Sequence, residues 1–159
     1  MAKKEVKTNA LRQLDKENIT YEVITYDTSD GLIDGVSVAK KCNEEMDYVF
    51  KTLVLEGSDK NYYVFVIPVE KQLDLKKAAK VLNLKSIAMI AQKQLLPLTG
   101  YVHGGCSPIG MKKSFPTIVD SSIEDKEYMY VSAGKVGLQM KINPNDLIRV
   151  CNGRFEEIV

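Results

Sequence analysis

The sequence has few of the side chains from which metal centres and catalytic triads are usually built. Its 159 residues include one histidine, His103, and three cysteines, Cys42, Cys106 and Cys151. The cysteines are scattered and lack the close spacing of zinc ligands, so we expect no metal, and reduced thiols rather than disulfides. A nucleophilic triad would have to pair His103 with Cys106 or Ser107, which lie too close in sequence for favourable geometry. We therefore interpret His103 as a loop side chain without a catalytic role.

Long apolar runs, strong net charge and nucleotide-binding motifs are also missing. The longest apolar run, residues 62–69, is far shorter than the roughly 20 residues that cross a membrane, and the first residues do not form a secretory signal. Twenty-two Lys and Arg residues against 21 Asp and Glu give a net charge of +1, which is low for a nucleic-acid-binding domain. There is no Walker A motif and no GxGxxG between a strand and a helix, so we expect no cofactor. These absences predict a cytoplasmic protein of one domain, residues 1–159, that makes small and local contacts with any RNA.

Strands and helices alternate irregularly along the chain, and several strands follow one another as hairpins. This pattern is typical of an α+β domain with a mixed, partly antiparallel sheet. Thr8 or Asn9 can cap the first helix, Ser37 is the predicted cap of the second, and Pro144 lies near the start of the last. Residues 133–135 are the predicted turn of the last hairpin. The predicted helices are 9–18, 37–42, 73–82, 91–96 and 143–151, and the predicted strands are 19–26, 50–55, 61–69, 86–90, 116–120, 128–132, 136–142 and 155–159.

The segment Gly100–Gly110 stands out by its glycine content. It holds four of the ten glycines of the chain and one of its five prolines. Glycine occurs where backbone turns sharply or approaches a ligand closely, because it has no Cβ. Pro108 fixes its own φ and favours extended geometry at Ser107. We therefore predict a rigid loop whose backbone N–H groups face a ligand.

Two charged side chains in apolar strands are further candidates. Strand alternation places Lys51 on the same face as Leu53 and Leu55. A lysine in this position either extends its amine to solvent at the end of the sheet or lines a cleft, and the pattern alone favours the first. Asp120 ends an apolar strand, where it is either a turn acceptor or a polar group in a pocket.

Five short segments together resemble one protein family. They are Phe50-Lys-Thr-Leu, Gln72-Leu-Asp-Leu-Lys-Lys, the loop from Thr99 to Gly110, Pro116-Thr-Ile-Val-Asp and Val131-Ser-Ala-Gly-Lys-Val-Gly-Leu. In this order, and over nearly the whole chain, they are similar to the YbaK/EbsC family, the free-standing relatives of the editing domain of bacterial prolyl-tRNA synthetase. The similarity is greatest to the Cys-tRNA(Pro) deacylase branch. It implies an α+β fold with a mixed, largely antiparallel barrel-like sheet flanked by helices.

The resemblance also implies an activity. Members of this branch act in trans on tRNA(Pro) that carries cysteine and release the free tRNA. An aminoacyl ester is already activated, so the enzyme needs positioning and oxyanion stabilisation more than a strong base. In this branch the thiol of the bound cysteine attacks its own ester carbonyl and leaves as a cyclic thiolactone, a route that alanyl and prolyl esters cannot take.

The resemblance assigns roles to individual residues. Lys51 matches the family's essential lysine and is expected to hold the terminal adenosine or its phosphate. Gly104 to Pro108 matches the family's Gly-x-x-x-Pro loop, and the N–H groups of Gly104 and Gly105 are expected near the ester carbonyl. The positions expected to line the pocket are Tyr26, Thr52, Cys106, Ser107, Pro108, Asp120, Ser132 and Gly134.

Two residues depart from the family pattern. Cys106 stands where close relatives usually carry an aliphatic residue, and His103 stands where they often carry valine. Neither interrupts the Gly-x-x-x-Pro spacing. We interpret Cys106 as a small buried thiol, with a nucleophile of lowered pKa as the alternative.

Three functions fit these observations, of which we prefer the first. It is trans-editing of Cys-tRNA(Pro) by substrate-thiol-assisted cleavage. The second is water-dependent deacylation of Ala-tRNA(Pro) or another small aminoacyl-tRNA. The third is a non-catalytic module that binds the tRNA end or docks on prolyl-tRNA synthetase, because a protein of near-zero net charge attracts tRNA weakly. The expected partners are the acceptor end of mischarged tRNA(Pro) and prolyl-tRNA synthetase, and the expected state is a monomer.

Overall fold

A computed structural model of the chain describes residues 7–159, so the first six residues of the predicted domain lie outside the described part. The α+β class is confirmed, and each predicted helix and strand has a counterpart. No helix within residues 7–159 is both long and apolar enough to cross a membrane. The helices are α1 (Asn9–Lys16), α2 (Gly35–Lys41), α3 (Leu75–Val81), α4 (Leu95–Thr99) and α5 (Pro144–Cys151). The strands are β1 (Tyr21–Thr25), β2 (Phe50–Gly57), β3 (Tyr62–Pro68), β4 (Ile87–Met89), β5 (Thr117–Asp120), β6 (Met129–Lys135), β7 (Leu138–Ile142) and β8 (Arg154–Glu156).

The strands form two sheets. The three-stranded sheet has the order β1-β7-β6, and both of its pairings are antiparallel. The five-stranded sheet has the order β4-β2-β3-β5-β8, in which β2 runs antiparallel to β3 and β4 while β5 runs parallel to β3 and β8. An isolated bridge between Val49 and Tyr130 links the two sheets. The mixed, largely antiparallel arrangement is therefore confirmed, but the barrel is not, because the two sheets do not close on each other.

The five-stranded sheet separates two apolar cores, and β2 contributes to both. Phe50 and Val54 pack on one face, together with residues of α1, α5 and the three-stranded sheet. Leu55 packs on the other face with Ala78 of α3. The predicted alternation along β2 is thus confirmed, and it leaves Lys51 near the start of the strand, on the face of Leu55.

Short polar side chains set the helix starts by accepting hydrogen bonds from free N–H groups. Thr8 caps α1, and Asn143 caps α5 with Pro144 as the first helical residue, as predicted. The prediction that Ser37 caps α2 is wrong. The Asp34 carboxylate accepts from the Ser37 N–H at 3.1 Å, so the helix begins before Ser37 and takes that residue into its first turn.

The last hairpin turns at residues 136–137, and the predicted turn at 133–135 is wrong. Strand β6 continues through this segment, where an irregularity in the pairing holds Gly134 at a φ of +101°. This backbone conformation suits glycine, so Gly134 serves a bulge rather than a turn. The resulting register places Ser132 opposite Gln139.

Candidate functional site

A cavity of about 530 Å³ lies where the start of β2, the start of α2, the glycine loop and the three-stranded sheet meet. Its volume is within the ~300–1,000 Å³ of small-ligand sites. Most of its lining is apolar, with contributions from residues such as Val38, Val49 and Leu138. Six of the eleven predicted site residues line it, namely Tyr26, Lys51, Thr52, Gly104, Cys106 and Ser132.

Lys51 is the one lysine or arginine among the described residues that line this cavity. It is partly buried, and no hydrogen bond or ion pair joins its amine to any of residues 7–159. Burial lowers the pKa of the amine, because the protein replaces part of the water around the charge. The structure therefore places Lys51 in a cleft, where its charge is available to an anionic group of a ligand.

The two glycines predicted to present their amides differ in position. Gly104 lines the cavity at a φ of +83°, and a Cβ there would lie 2.8 Å from Cδ1 of Ile33. Gly105 is not part of the lining, and its N–H already donates to the carbonyl of Val102 at 2.9 Å. A Cβ on Gly105 would meet the backbone nitrogen of Val136 at 2.7 Å. Gly105 thus lets the loop pack against the β6–β7 turn, whereas Gly104 faces the cavity.

The rest of the glycine loop is buried and held from inside. Cys106 lines the cavity, and burial raises the pKa of its thiol to about 12. Ser107 and Pro108 are buried outside the lining, and the Ser107 hydroxyl accepts from the N–H of Ile109 at 3.3 Å. The Tyr101 hydroxyl donates to the carbonyl of Ile109 at 2.6 Å. The thiol is therefore neutral at physiological pH, as expected of a small buried cysteine.

Three residues of the lining carry a hydroxyl group, namely Tyr26, Thr52 and Ser132. The Ser132 hydroxyl accepts from the N–H of Gly134 at 3.2 Å. The Thr52 hydroxyl is buried without a hydrogen-bond partner. His103 also lines the cavity, and its side chain is exposed.

Two predicted pocket residues, Asp120 and Gly134, do not belong to the lining. Asp120 is 2% exposed, and its carboxylate accepts from the N–H groups of Ser122 at 3.3 Å and Ile158 at 3.2 Å. It is thus a turn acceptor, one of the two alternatives open from the sequence. Gly134 lies in the bulge of β6, where its N–H holds the Ser132 hydroxyl.

Three polar residues of the lining were not predicted from the sequence, namely Asp34, Gln92 and Gln139. Asp34 and Ser37 are both residue types that cap helices, so the sequence did not show which of them begins α2. Gln139 is 3% exposed on β7. The signal that could have identified it is its position opposite Ser132, which depends on where the hairpin turns.

Groups of three or more His, Cys, Asp and Glu side chains able to hold a metal ion do not occur within residues 7–159. The polar part of the cavity thus consists of the Lys51 ammonium group, the His103 imidazole, hydroxyls, amides and the capping carboxylate of Asp34. Such groups can position a substrate and stabilise developing charge.

The chain matches the family model of the aminoacyl-tRNA editing domain over residues 34–150. It is 41% identical over 160 residues to an Enterococcus faecalis protein named "Putative Cys-tRNA(Pro)/Cys-tRNA(Cys) deacylase EbsC". That alignment covers 99% of this chain and 98% of the relative. The predicted resemblance to the YbaK/EbsC family is therefore confirmed.

Two solved structures share the fold. One, described as "hypothetical protein APE2540", has a TM-score of 0.86 at 16% identity and covers 95% of this chain and 99% of its own. The other, described as "a putative trans-editing enzyme for prolyl tRNA synthetase", has a TM-score of 0.80 at 19% identity and covers 97% of this chain and 98% of its own. The family model, the full-length relative and the shared fold agree. This chain belongs to the aminoacyl-tRNA editing domain family.

Proposed function

We propose that this protein is a trans-editing deacylase that removes cysteine from mischarged Cys-tRNA(Pro). The observation that carries the proposal is that Lys51 and Gly104, which are distant in sequence, line one cavity of about 530 Å³. Membership of the editing-domain family and the name of the 41% identical relative support it.

The size and polarity of the cavity suit the aminoacylated 3′ end of a tRNA. The Lys51 amine, which has no partner in the described part of the chain, is assigned to a phosphate or ribose oxygen of the terminal nucleotide. The N–H of Gly104 has no partner among residues 7–159, whereas that of Gly105 is used in a turn. We therefore assign the ester carbonyl to the Gly104 amide alone, and assign to Gly105 the packing that holds the loop in place.

The proposed chemistry takes its nucleophile from the substrate. The sulfur of the bound cysteine attacks its own ester carbonyl, a C–S bond forms and the C–O bond to ribose breaks. The thiol proton ends on the ribose oxygen, and the products are a cyclic thiolactone and free tRNA. The Gly104 amide stabilises the negative charge that develops on the carbonyl oxygen. This route needs no protein thiolate, in agreement with the pKa of about 12 of the Cys106 thiol.

Recognition of the amino acid and of the tRNA body are expected to be separate. The name of the E. faecalis relative gives cysteine on two tRNAs, tRNA(Pro) and tRNA(Cys). A cavity that recognises cysteine would act on both unless the tRNA is selected elsewhere. With 22 basic and 21 acidic residues the protein attracts RNA weakly. We therefore propose that prolyl-tRNA synthetase, as a partner, supplies the choice of tRNA(Pro).

The experiment is a deacylation assay with purified protein and Cys-tRNA(Pro), Cys-tRNA(Cys) and Ala-tRNA(Pro). We expect rapid release from both cysteinyl substrates, slow release from the alanyl substrate, and thiolactone among the cysteine products. Equal rates for cysteinyl and alanyl esters without thiolactone would favour water as the nucleophile. Binding without release from any substrate would contradict a catalytic role.

A further inference from the structure

Three side-chain oxygens are buried without a hydrogen-bond partner in the part of the chain that the structure describes. They belong to Glu44, Thr52 and Gln139. Thr52 and Gln139 line the cavity, and the Gln139 amide lies close enough to Glu44 to lower the pKa of its carboxyl group. A buried acceptor without a partner is unfavourable, and native proteins rarely leave one unless a ligand or water satisfies it.

Gln139 is the most buried of the three and is fixed by its place in the sheet. It lies in β7 opposite Ser132, another residue of the lining. Its side chain carries one acceptor oxygen and one NH₂ group that only donates. When the NH₂ group faces the Glu44 carboxylate, the amide oxygen is left for another donor.

Glu44 lies just beyond the end of α2, where its N–H donates to the carbonyl of Ala39. Burial raises the pKa of its carboxyl group to about 7, and Gln139 and Lys141 of β7 partly offset the effect. Burial raises the pKa of Tyr130 in β6 and of Cys42 at the end of α2, and the charge of Glu44 raises both further. The Glu44 carboxyl group therefore interacts with groups on both strands, Tyr130 of β6 and Gln139 and Lys141 of β7.

We propose that the Gln139 amide oxygen, oriented by Glu44, binds the α-ammonium group of the aminoacyl substrate. This inference rests on the proposed function, since it assigns a protein partner to the α-ammonium group of the same substrate, which neither Lys51 nor Gly104 is proposed to bind. The ester carbonyl and the phosphates only accept hydrogen bonds, so an acceptor such as the Gln139 oxygen excludes them. The α-ammonium group is a cationic donor, which a buried carboxylate favours. Glu44 is a positioning residue, and Gln139 is a specificity-determining residue.

The test compares two ligands that differ only at the amine. They are 5′-phosphorylated 3′-cysteinylamido-adenosine, which cannot be hydrolysed, and its N-acetyl derivative. We expect the wild-type protein to prefer the free amine by about 10- to 100-fold in Kd, the range for a hydrogen bond to a charged group. Gln139→Met is expected to remove most of this preference by weakening the free amine, with little effect on the N-acetyl ligand. Gln72→Met, at an exposed glutamine, is the matched control and should leave the preference intact.

Two more variants keep the test decisive. Gln139→Glu retains an acceptor at the same position and is expected to keep the preference even if Gln139→Met does not fold. Glu44→Gln is expected to weaken amine binding several-fold above pH 7 and to make the preference less dependent on pH between 6 and 8. Glu45→Gln, the exposed neighbour, controls for the loss of a negative charge.

The outcomes separate this inference from the proposed function. A preference for the amine that survives in Gln139→Met, or a wild-type protein that binds both ligands equally, would overturn the inference. If either outcome occurred while Cys-tRNA(Pro) deacylation was intact, the inference would fail and the proposed function would not be affected. Loss of the preference in Gln139→Met supports the inference, and it does so whether or not the protein deacylates Cys-tRNA(Pro).

Discussion

The two sides of the cavity differ in the groups that they offer a ligand. On the lysine side, Lys51 and Gly104 present an ammonium and an N–H that have no partner within the described residues and suit phosphate and carbonyl oxygens. On the glutamine side, Gln139 presents an amide oxygen that has no hydrogen-bond partner among residues 7–159 and suits a donor, while Glu44 lies beside Gln139 outside the lining. An aminoacyl ester carries both kinds of group, acceptors at its ester and donors at its amine. One small cavity can therefore orient such a substrate without a catalytic base, because its donors match the acceptors of the substrate and its acceptor matches the donor.

The largest effect is expected on the lysine side. Lys51→Ala should lower kcat/KM for Cys-tRNA(Pro) by about 100-fold, because a charged hydrogen bond that positions the terminal nucleotide is lost. Lys126→Ala, at an exposed lysine of the segment before β6, is the control and should retain activity. Steady-state deacylation of both variants checks this. Full activity of Lys51→Ala would show that Lys51 has no role in the reaction.

A smaller effect is expected at the glycine that faces the cavity. Gly104→Ala forces a side chain into a φ of +83° with its Cβ 2.8 Å from Ile33, so we expect about a tenfold loss of kcat/KM. Gly31→Ala is a matched control, since Gly31 has a φ of +75° and nothing within 4 Å of an added Cβ. Both variants should lose roughly 1–3 kcal/mol of unfolding free energy, the usual cost of a side chain in the left-handed backbone region. Equal activity of the two variants would show that Gly104 serves folding alone.

On the glutamine side, the Glu44 carboxyl group should make the stability of the protein depend on pH. The pKa of Glu44 is raised from 4.5 to about 7 in the folded protein, so the folded state holds this proton more tightly than the unfolded chain. Its contribution to stability is complete below pH 4.5 and is lost as pH rises to about 7. Glu44→Gln should therefore unfold at a higher temperature than the wild type at pH 8 and at a similar temperature near pH 4. Thermal unfolding across this range, with Glu45→Gln as control, checks the sign. A variant less stable than the wild type at pH 8 would contradict it.

The smallest effect is expected at Cys106, another residue of the cavity lining. Its thiol, with a pKa of about 12, is neutral at working pH, so Cys106→Ala should change the deacylation rate by no more than about threefold. Iodoacetamide should likewise modify Cys106 slowly in the folded protein. Loss of activity in Cys106→Ala together with rapid alkylation would point to a protein nucleophile.

The sequence predicted only part of the lysine side from local signals, because strand alternation alone favoured a solvent-exposed Lys51 amine and the family resemblance assigned this lysine to the site. Alternation over residues 50–55 fixed the faces of β2, and the density of glycine marked the loop. What the sequence left open was which amide faces the cavity, because the turn that uses the Gly105 N–H depends on how the loop packs against β6 and β7.

The glutamine side could not be predicted because it depends on a strand register. The predicted turn at residues 133–135 would pair Ser132 with Val136 and place Gln139 opposite Met129, a core residue. The observed turn at residues 136–137 shifts the register of β7 against β6 by three residues, so that Gln139 pairs with Ser132 instead of Met129. An odd shift of register exchanges the two faces of a strand. Two glycines three residues apart, Gly134 and Gly137, offered two turns, and packing of the whole sheet decided between them.

The most direct test of these assignments is a crystal structure with 5′-phosphorylated 3′-cysteinylamido-adenosine bound. We expect a phosphate or ribose oxygen within hydrogen-bond distance of Lys51 Nζ, the acyl oxygen at the Gly104 N–H, and the cysteinyl amine toward Gln139. A ligand that occupies the cavity without contacting Lys51 and Gly104, or that binds outside it, would contradict them.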